Sequence, residues 1–264
     1  MSRVAVLIPV LNQTQALLRT LRSVDREEAD LEFFVVDDGS SPPVSLTAGD
    51  FRHTIHLISL KENRGCTVAR NIALKHIFSG NFDYVALQDA GDVDVGERMQ
   101  RQADFLDRHS NVAVVGAWAQ YVDRTGEPLY VYKAPATTRE IRNRMPYVSA
   151  FAHPASMIRI AALETVGVYD PAYRIASDYE IFFRLTKTFE TANLQEVMIN
   201  KEDNPHSLSI GKRKRSLLYR LRAQFRHFSG PSVHSYLGVL WTLVLLVFPY
   251  RIVVAVKRWR GFAH

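Results

Sequence analysis

Two apolar runs of strand length in this chain each end in a turn that carries two aspartates and a glycine. The first is Phe33-Phe34-Val35-Val36-Asp37-Asp38-Gly39-Ser40, and the second is Tyr84-Val85-Ala86-Leu87-Gln88-Asp89-Ala90-Gly91-Asp92. A short, continuous apolar run fits a strand covered on both faces, as in a parallel sheet flanked by helices. Carboxylates at its end stand at the carboxyl edge of the sheet, where open α/β sheets bind ligands. Two such turns at one edge suit a ligand with both hydrogen-bond donors and a metal-bound phosphate.

The first two-thirds of the chain alternates strand and helix patterns. Apolar runs predict strands at residues 4–8, 32–36, 54–59, 84–87, 112–118, 129–132 and 155–160. Helical spacing predicts helices at 14–24, 67–77, 96–108, 138–145 and 178–187. This order argues for an α/β fold with a mostly parallel sheet between helices. The first residues, Met1 to Pro9, read as the first strand, because a signal peptide needs a longer apolar core. The single cysteine, Cys66, excludes an intramolecular disulfide and fits a reducing compartment.

The net charge of +6 conceals an asymmetry. No acidic residue follows Asp203, while eleven Lys or Arg lie beyond residue 210, leaving 22 basic against 27 acidic residues before it. The character changes near Gly211, which divides a domain at 1–210 from a basic and apolar helical extension at 211–264. Residues 212–228 are basic with Leu217, Leu218, Leu221 and Phe225 at helical spacing, and residues 236–249 are almost wholly apolar. The apolar run is shorter than the roughly 20 residues of a spanning helix. Basic flanks, Trp241 and Trp259 point to a peripheral or monotopic membrane contact, as against a core-packed helical hairpin. Nucleic acid is not expected as the partner, since the apolar stretch fits lipid better.

Each candidate motif has an ordinary structural reading beside its functional one. Asp38 in Asp37-Asp38-Gly39-Ser40 can accept a proton from a nucleobase, or simply close a turn. Arg64 and Arg70, around a Gly-containing helix start, can meet phosphate or pair with surface acids. Asp89 and Asp92 can ligate Mg²⁺ or Mn²⁺, or stay solvated. Asp178 can be a general base or a first-turn acid. His153 and His206 are loop histidines, more often structural than catalytic.

Taken in order, these stretches resemble the family 2 glycosyltransferases of the GT-A fold, bacterial surface-polysaccharide type. The resemblance rests on residues 5–12, on Val36-Asp37-Asp38-Gly39-Ser40, and on Asn63-Arg64-Gly65 leading to Ala69-Arg70-Asn71. It continues through Asp89-Ala90-Gly91-Asp92 with Glu97, Arg98 and Gln102, then His153-Pro154 to Ser177-Asp178-Tyr179-Glu180, and covers about residues 3–210. It implies that Pro9 and Leu11 wall a nucleobase pocket and that Asp38 accepts from the base. It further implies that Arg64 or Arg70 lies near the diphosphate, that Asp89 lies near ribose and metal, and that Asp178 is the catalytic base. The chain departs from the family at Ser177, which replaces a Glu, and at Gly91. That glycine stands where the family's Asp-x-Asp-Asp pattern carries a metal-reaching Asp, so either Asp92 takes over through a shifted loop, or Asp89 and water do the work, or metal binding is weakened, and His206 is the candidate for the further His ligand that GT-A enzymes often carry.

The implied activity is inverting transfer of one hexose or deoxyhexose from a nucleoside-diphosphate sugar, with Mn²⁺ or Mg²⁺ as cofactor. The acceptor would be a saccharide or lipid-linked hydroxyl at the cytoplasmic face of the cell membrane. A sugar-1-phosphate nucleotidyltransferase is a rival, but it usually opens with a Gly-rich loop, and residues 9–13 hold no glycine. A non-catalytic membrane-bound scaffold is another, opposed by the intact Asp38, Arg70, Asp89 and Asp178.

Overall fold

The computed structural model describes residues 2–47, 49–203 and 213–247. His206, the expected boundary at Gly211 and the tail from residue 248 lie outside the described residues. One mixed sheet holds nine strands. Its parallel half is β1 (Val4–Val10), β2 (Leu31–Asp37), β3 (Ile55–Ser59) and β4 (Tyr84–Leu87), in spatial order β3-β2-β1-β4. The other half is β5 (Val93–Asp94), β6 (Val112–Val122), β7 (Pro128–Tyr132), β8 (Met157–Arg159) and β9 (Glu190–Glu202). Here β8 runs antiparallel to both β4 and β6, β9 runs parallel to β6, and β5 closes the far edge antiparallel to β9. The parallel expectation thus holds for the first four strands. The neighbour of β4 on its other side is β8, which enters antiparallel, so the parallel run ends there.

Eight helices surround the sheet among the described residues: α1 (Thr14–Val24), α2 (Cys66–Phe78), α3 (Arg98–Arg108), α4 (Thr138–Arg144), α5 (Ile160–Val166), α6 (Ser177–Thr188), α7 (Arg213–Arg226) and α8 (Val233–Val247). Alternation along β1 sorts the core into two layers. Val4, Val6 and Ile8 face Leu17, Leu21 and Val24 of α1 and Met99, Ala103 and Leu106 of α3. Ala5 and Leu7 face Ala73 and Ile77 of α2 together with Leu163 of α5 and Phe182 of α6. Each fully buried Leu or Val contributes about 1.5–3 kcal/mol, so both faces are firmly specified.

Two elements that position the site escape the apolar pattern. Strand β9 spans 13 residues with irregular burial, and β5 is a two-residue strand. The C-terminal hairpin of α7 and α8 packs on the preceding structure through Gln224. Its amide donates to the Pro146 carbonyl (2.6 Å), the Gly238 carbonyl (3.1 Å) and Thr242 Oγ1 (2.8 Å). His227, just past α7, lies 3.2 Å from Glu180 of α6. The outer row of the hairpin stays exposed: Leu218, Phe225, Val233, Tyr236, Leu240 and Trp241. No helix among the described residues is long and apolar enough to cross a membrane.

Candidate active site

The carboxyl ends of β1 and β2 are stitched together by polar contacts. Asp37 is structural: its two carboxylate oxygens accept from Ser40 N and Val44 N, both at 2.9 Å. Asn12, at φ 55°, donates its N–H to Ser40 Oγ (2.8 Å) and accepts from Ser41 N (2.8 Å). Pro9 and Leu11 flank this seam, half-buried. Asp38 is 4% exposed and accepts from Arg64 N (2.7 Å) and Gly65 N (2.9 Å). It therefore anchors the loop that precedes α2, and each oxygen keeps a second lone pair for a ligand. Gly39 permits the approach, because a Cβ there would lie 2.5 Å from the Glu62 carbonyl carbon. The Arg64 side chain is exposed, and its guanidinium makes no polar contact with the described residues.

Helix α1 fixes the second aspartate turn. Thr20 Oγ1 donates to the Asp92 carbonyl (2.8 Å) and accepts from Gly91 N (2.9 Å), while Ser23 Oγ accepts from Asp94 N (3.0 Å). Gly91 sits at φ 109°, a conformation that an aspartate would adopt only under strain. Asp89 accepts from Arg70 Nη2 at 3.0 Å. Arg70 is buried in turn, lying 5.5 Å from the Tyr169 ring and 3.5 Å from His153 Nδ1, while His153 Nε2 is 2.9 Å from the Tyr169 hydroxyl. Burial, then the Arg70 charge, holds the His153 imidazole well below its ordinary value, so it is neutral. Burial opposes the Asp89 charge, but Arg70 and Lys201 outweigh it and keep this carboxyl below the usual range.

Lys201 was not among the residues singled out from the sequence. It stands near the end of β9, where the pairing of Val93 with Asn200 sets it opposite Asp92. Its Nζ lies 2.9 Å from Asp92 Oδ2 and 3.6 Å from Asp89 Oδ2. Burial disfavours this ammonium, yet Asp92 and Asp89 hold it above the ordinary lysine value. Asp92 itself is pushed up to about 7 by burial and by the Asp89 charge, with Lys201 opposing. Only the register of β9 reveals this contact.

Helix α6 supplies the remaining candidate. Thr67 of α2 donates its hydroxyl to the Tyr173 carbonyl (2.9 Å) and can accept from Ser177 Oγ, 3.1 Å away, which pins the start of α6 against α2. Ser177, the departure from the family pattern, thus has a structural task. Asp178 follows in the first turn, half-buried, and its carboxylate makes no hydrogen bond or ion pair with the described residues. It lies within electrostatic reach of Arg70, Tyr169 and Cys66.

Asp89 and Asp92, the expected metal ligands, both lie against the Lys201 ammonium. The third carboxylate position is Gly91, and no group of three or more His, Cys, Asp or Glu that could hold a metal occurs among the described residues. The donor set as it stands suits Lys201 rather than a divalent ion.

The profile of Glycosyl transferase family 2 matches residues 5–167. A UDP-Gal:alpha-D-GlcNAc-diphosphoundecaprenol beta-1,3-galactosyltransferase of Escherichia coli is 22% identical over 228 residues, covering 82% of this chain and 78% of that protein. Among solved structures, S. aureus TarS 1-349 in complex with UDP-GlcNAc aligns with a TM-score of 0.67 at 18% identity, over 91% of this chain and 71% of that one. The mannosyltransferase PcManGT from Pyrobaculum calidifontis, in complex with GDP-Man and Mn2+, aligns with a TM-score of 0.61 at 16% identity, over 93% of this chain and 70% of that one.

Proposed function

The chain belongs to glycosyl transferase family 2 and is a GT-A glycosyltransferase acting on a nucleotide sugar, and we propose that it transfers one sugar with inversion, using Asp178 as the base. The observation that carries this reading is the Asp178 carboxylate, which has no polar partner among the described residues in a site where Asp38, Asp89 and Asp92 are all engaged. Asp178 takes the proton from an acceptor hydroxyl. The hydroxyl oxygen then attacks the anomeric carbon, and the bond to the diphosphate breaks with its electron pair leaving on the nucleotide. A single displacement inverts the configuration and needs no carboxylate nucleophile. Asp38, Pro9 and Leu11 line the base end, and Arg64, whose guanidinium meets no polar partner among the described residues, neutralises the leaving diphosphate. Arg70 orients Asp89 toward the donor ribose.

Residues 1–210 form the catalytic domain, and 211–264 form an extension that meets the membrane surface. The exposed apolar row on α7 and α8 supports that contact, since exposed apolar patches mark interaction sites. The Escherichia coli relative, named for an undecaprenol-linked acceptor, supports a lipid-linked acceptor in surface-polysaccharide synthesis. Asp178→Asn is nearly isosteric but cannot take the proton. Turnover on the acceptor should fall by about 10²–10⁴, with nucleotide affinity unchanged. Wild-type turnover would remove Asp178 from the mechanism.

A further inference from the structure

We propose that Lys201 is a built-in cation at the diphosphate end of the site, standing where a divalent ion would stand, so that donor binding does not depend on metal. The proposal rests on the donor-site reading above. Three observations converge on it. Gly91 removes the carboxylate that would complete a metal-binding set, and its φ of 109° makes the backbone unsuited to regaining one. Lys201 Nζ bridges the two carboxylates that remain, at 2.9 Å from Asp92 and 3.6 Å from Asp89. The bridge is also built into the fold, because antiparallel pairing of β5 with β9 sets Lys201 opposite Asp92.

The chemistry is that of charge balance. An ammonium has three hydrogens and no acceptor. One is donated to Asp92 at 2.9 Å, Asp89 at 3.6 Å is held by charge alone, and hydrogens remain for a phosphate oxygen. A divalent ion at the same carboxylates would have to sit beside this cation and compete with it for both ligands. A nucleoside diphosphate therefore meets in Lys201 a fixed positive charge that requires no ion from solution. The lysine side chain is 25% exposed, enough for a diphosphate to reach it.

The test is calorimetry of UDP, GDP and dTDP binding to the full chain, in excess EDTA and in Mn²⁺, with wild type, Lys201→Met and Lys201→Arg. Wild type should bind one of these nucleotides with affinities in EDTA and Mn²⁺ within about threefold. Lys201→Met should lose about tenfold or more in EDTA, the usual effect of removing a charged hydrogen-bond partner, and Lys201→Arg should keep most of the affinity. Thermal melts check that the variants fold, and the wild-type comparison stands even if Lys201→Met does not. Binding by wild type only when Mn²⁺ is present would overturn the Lys201 proposal and leave the donor site standing. So would Lys201→Met binding like wild type in EDTA. Absence of binding to every nucleotide in both conditions would overturn the donor-site reading itself, and this proposal with it.

Discussion

Arg98→Met should be among the most destabilising single changes in this protein. The Arg98 guanidinium is 0% exposed, with Nε donating to Asp94 Oδ2 at 2.8 Å, Nη2 to Gln88 Oε1 at 2.7 Å and Nη1 to Gln102 Oε1 at 3.3 Å. Methionine roughly fills the space, so the cavity contribution is small. What remains is a buried Asp94 carboxylate without its cation and two glutamine oxygens without donors. Breaking a buried pair in this way costs about 3–5 kcal/mol, a large share of the roughly 5–15 kcal/mol that holds a domain folded. Adding Asp94→Leu removes the stranded charge and should recover about 2 kcal/mol. The pH dependence follows from the sign of the Asp94 shift. Burial already raises this carboxyl despite Arg98, and losing Arg98 raises it further. A group with its folded pKa above the unfolded value stabilises the fold at low pH and loses that contribution as pH rises. The penalty of Arg98→Met should therefore be larger at pH 8 than at pH 5. Urea melts of the single and double variants at both pH values provide the check. A loss below about 1 kcal/mol, or a penalty that grows on acidification, would refute the argument.

Asp38→Ala should release the 63–65 loop by removing acceptors for Arg64 N and Gly65 N. Nucleotide affinity in calorimetry should fall about tenfold or more, and unchanged affinity would remove Asp38 from the site. Glu27 accepts from Met99 N and Gln100 N at the start of α3, and burial, then the Asp94 charge, pushes its carboxyl up to about 7. Because this raised group holds its proton longer in the folded state, wild type should lose on the order of 2–3 kcal/mol relative to Glu27→Gln between pH 4.5 and 7. Parallel melts across that range test it, and identical pH profiles would refute it. Trp241→Asp and Leu240→Asp, both on the exposed row of α8, should weaken sedimentation with anionic vesicles while leaving nucleotide binding intact. They are better probes than truncation at Gly211, which would uncover the face of α6 that His227 covers. Undiminished vesicle binding by both variants would make the row a surface without a lipid partner.

The elements whose side-chain spacing is regular were legible from the chain alone. Helix α1 spans Thr14–Val24 and β4 spans Tyr84–Leu87, both as the apolar pattern predicts. The two aspartate turns lie at the strand ends, as their residues imply. Strand β9 was not legible, because its burial follows no period of two and only four of its 13 residues are buried. Arg98 and Asp94 were equally opaque, since an i,i+4 charged pair is ordinarily a solvated one, and nothing local announces that this one is 0% exposed. His153 reads as an ordinary loop histidine until Arg70 and Tyr169 are seen against it.

The sequence by itself determined the α/β order, the placement of Asp38, Asp89 and Asp178 at element ends, and the family, because these are properties of residues near one another along the chain. Only the tertiary structure decided that Lys201 faces Asp92 across 109 residues, that Thr67 pins Ser177, and that Gln224 holds the C-terminal hairpin to Pro146. Those contacts depend on strand register and helix packing, which are settled by partners distant in the chain and leave no local pattern to read.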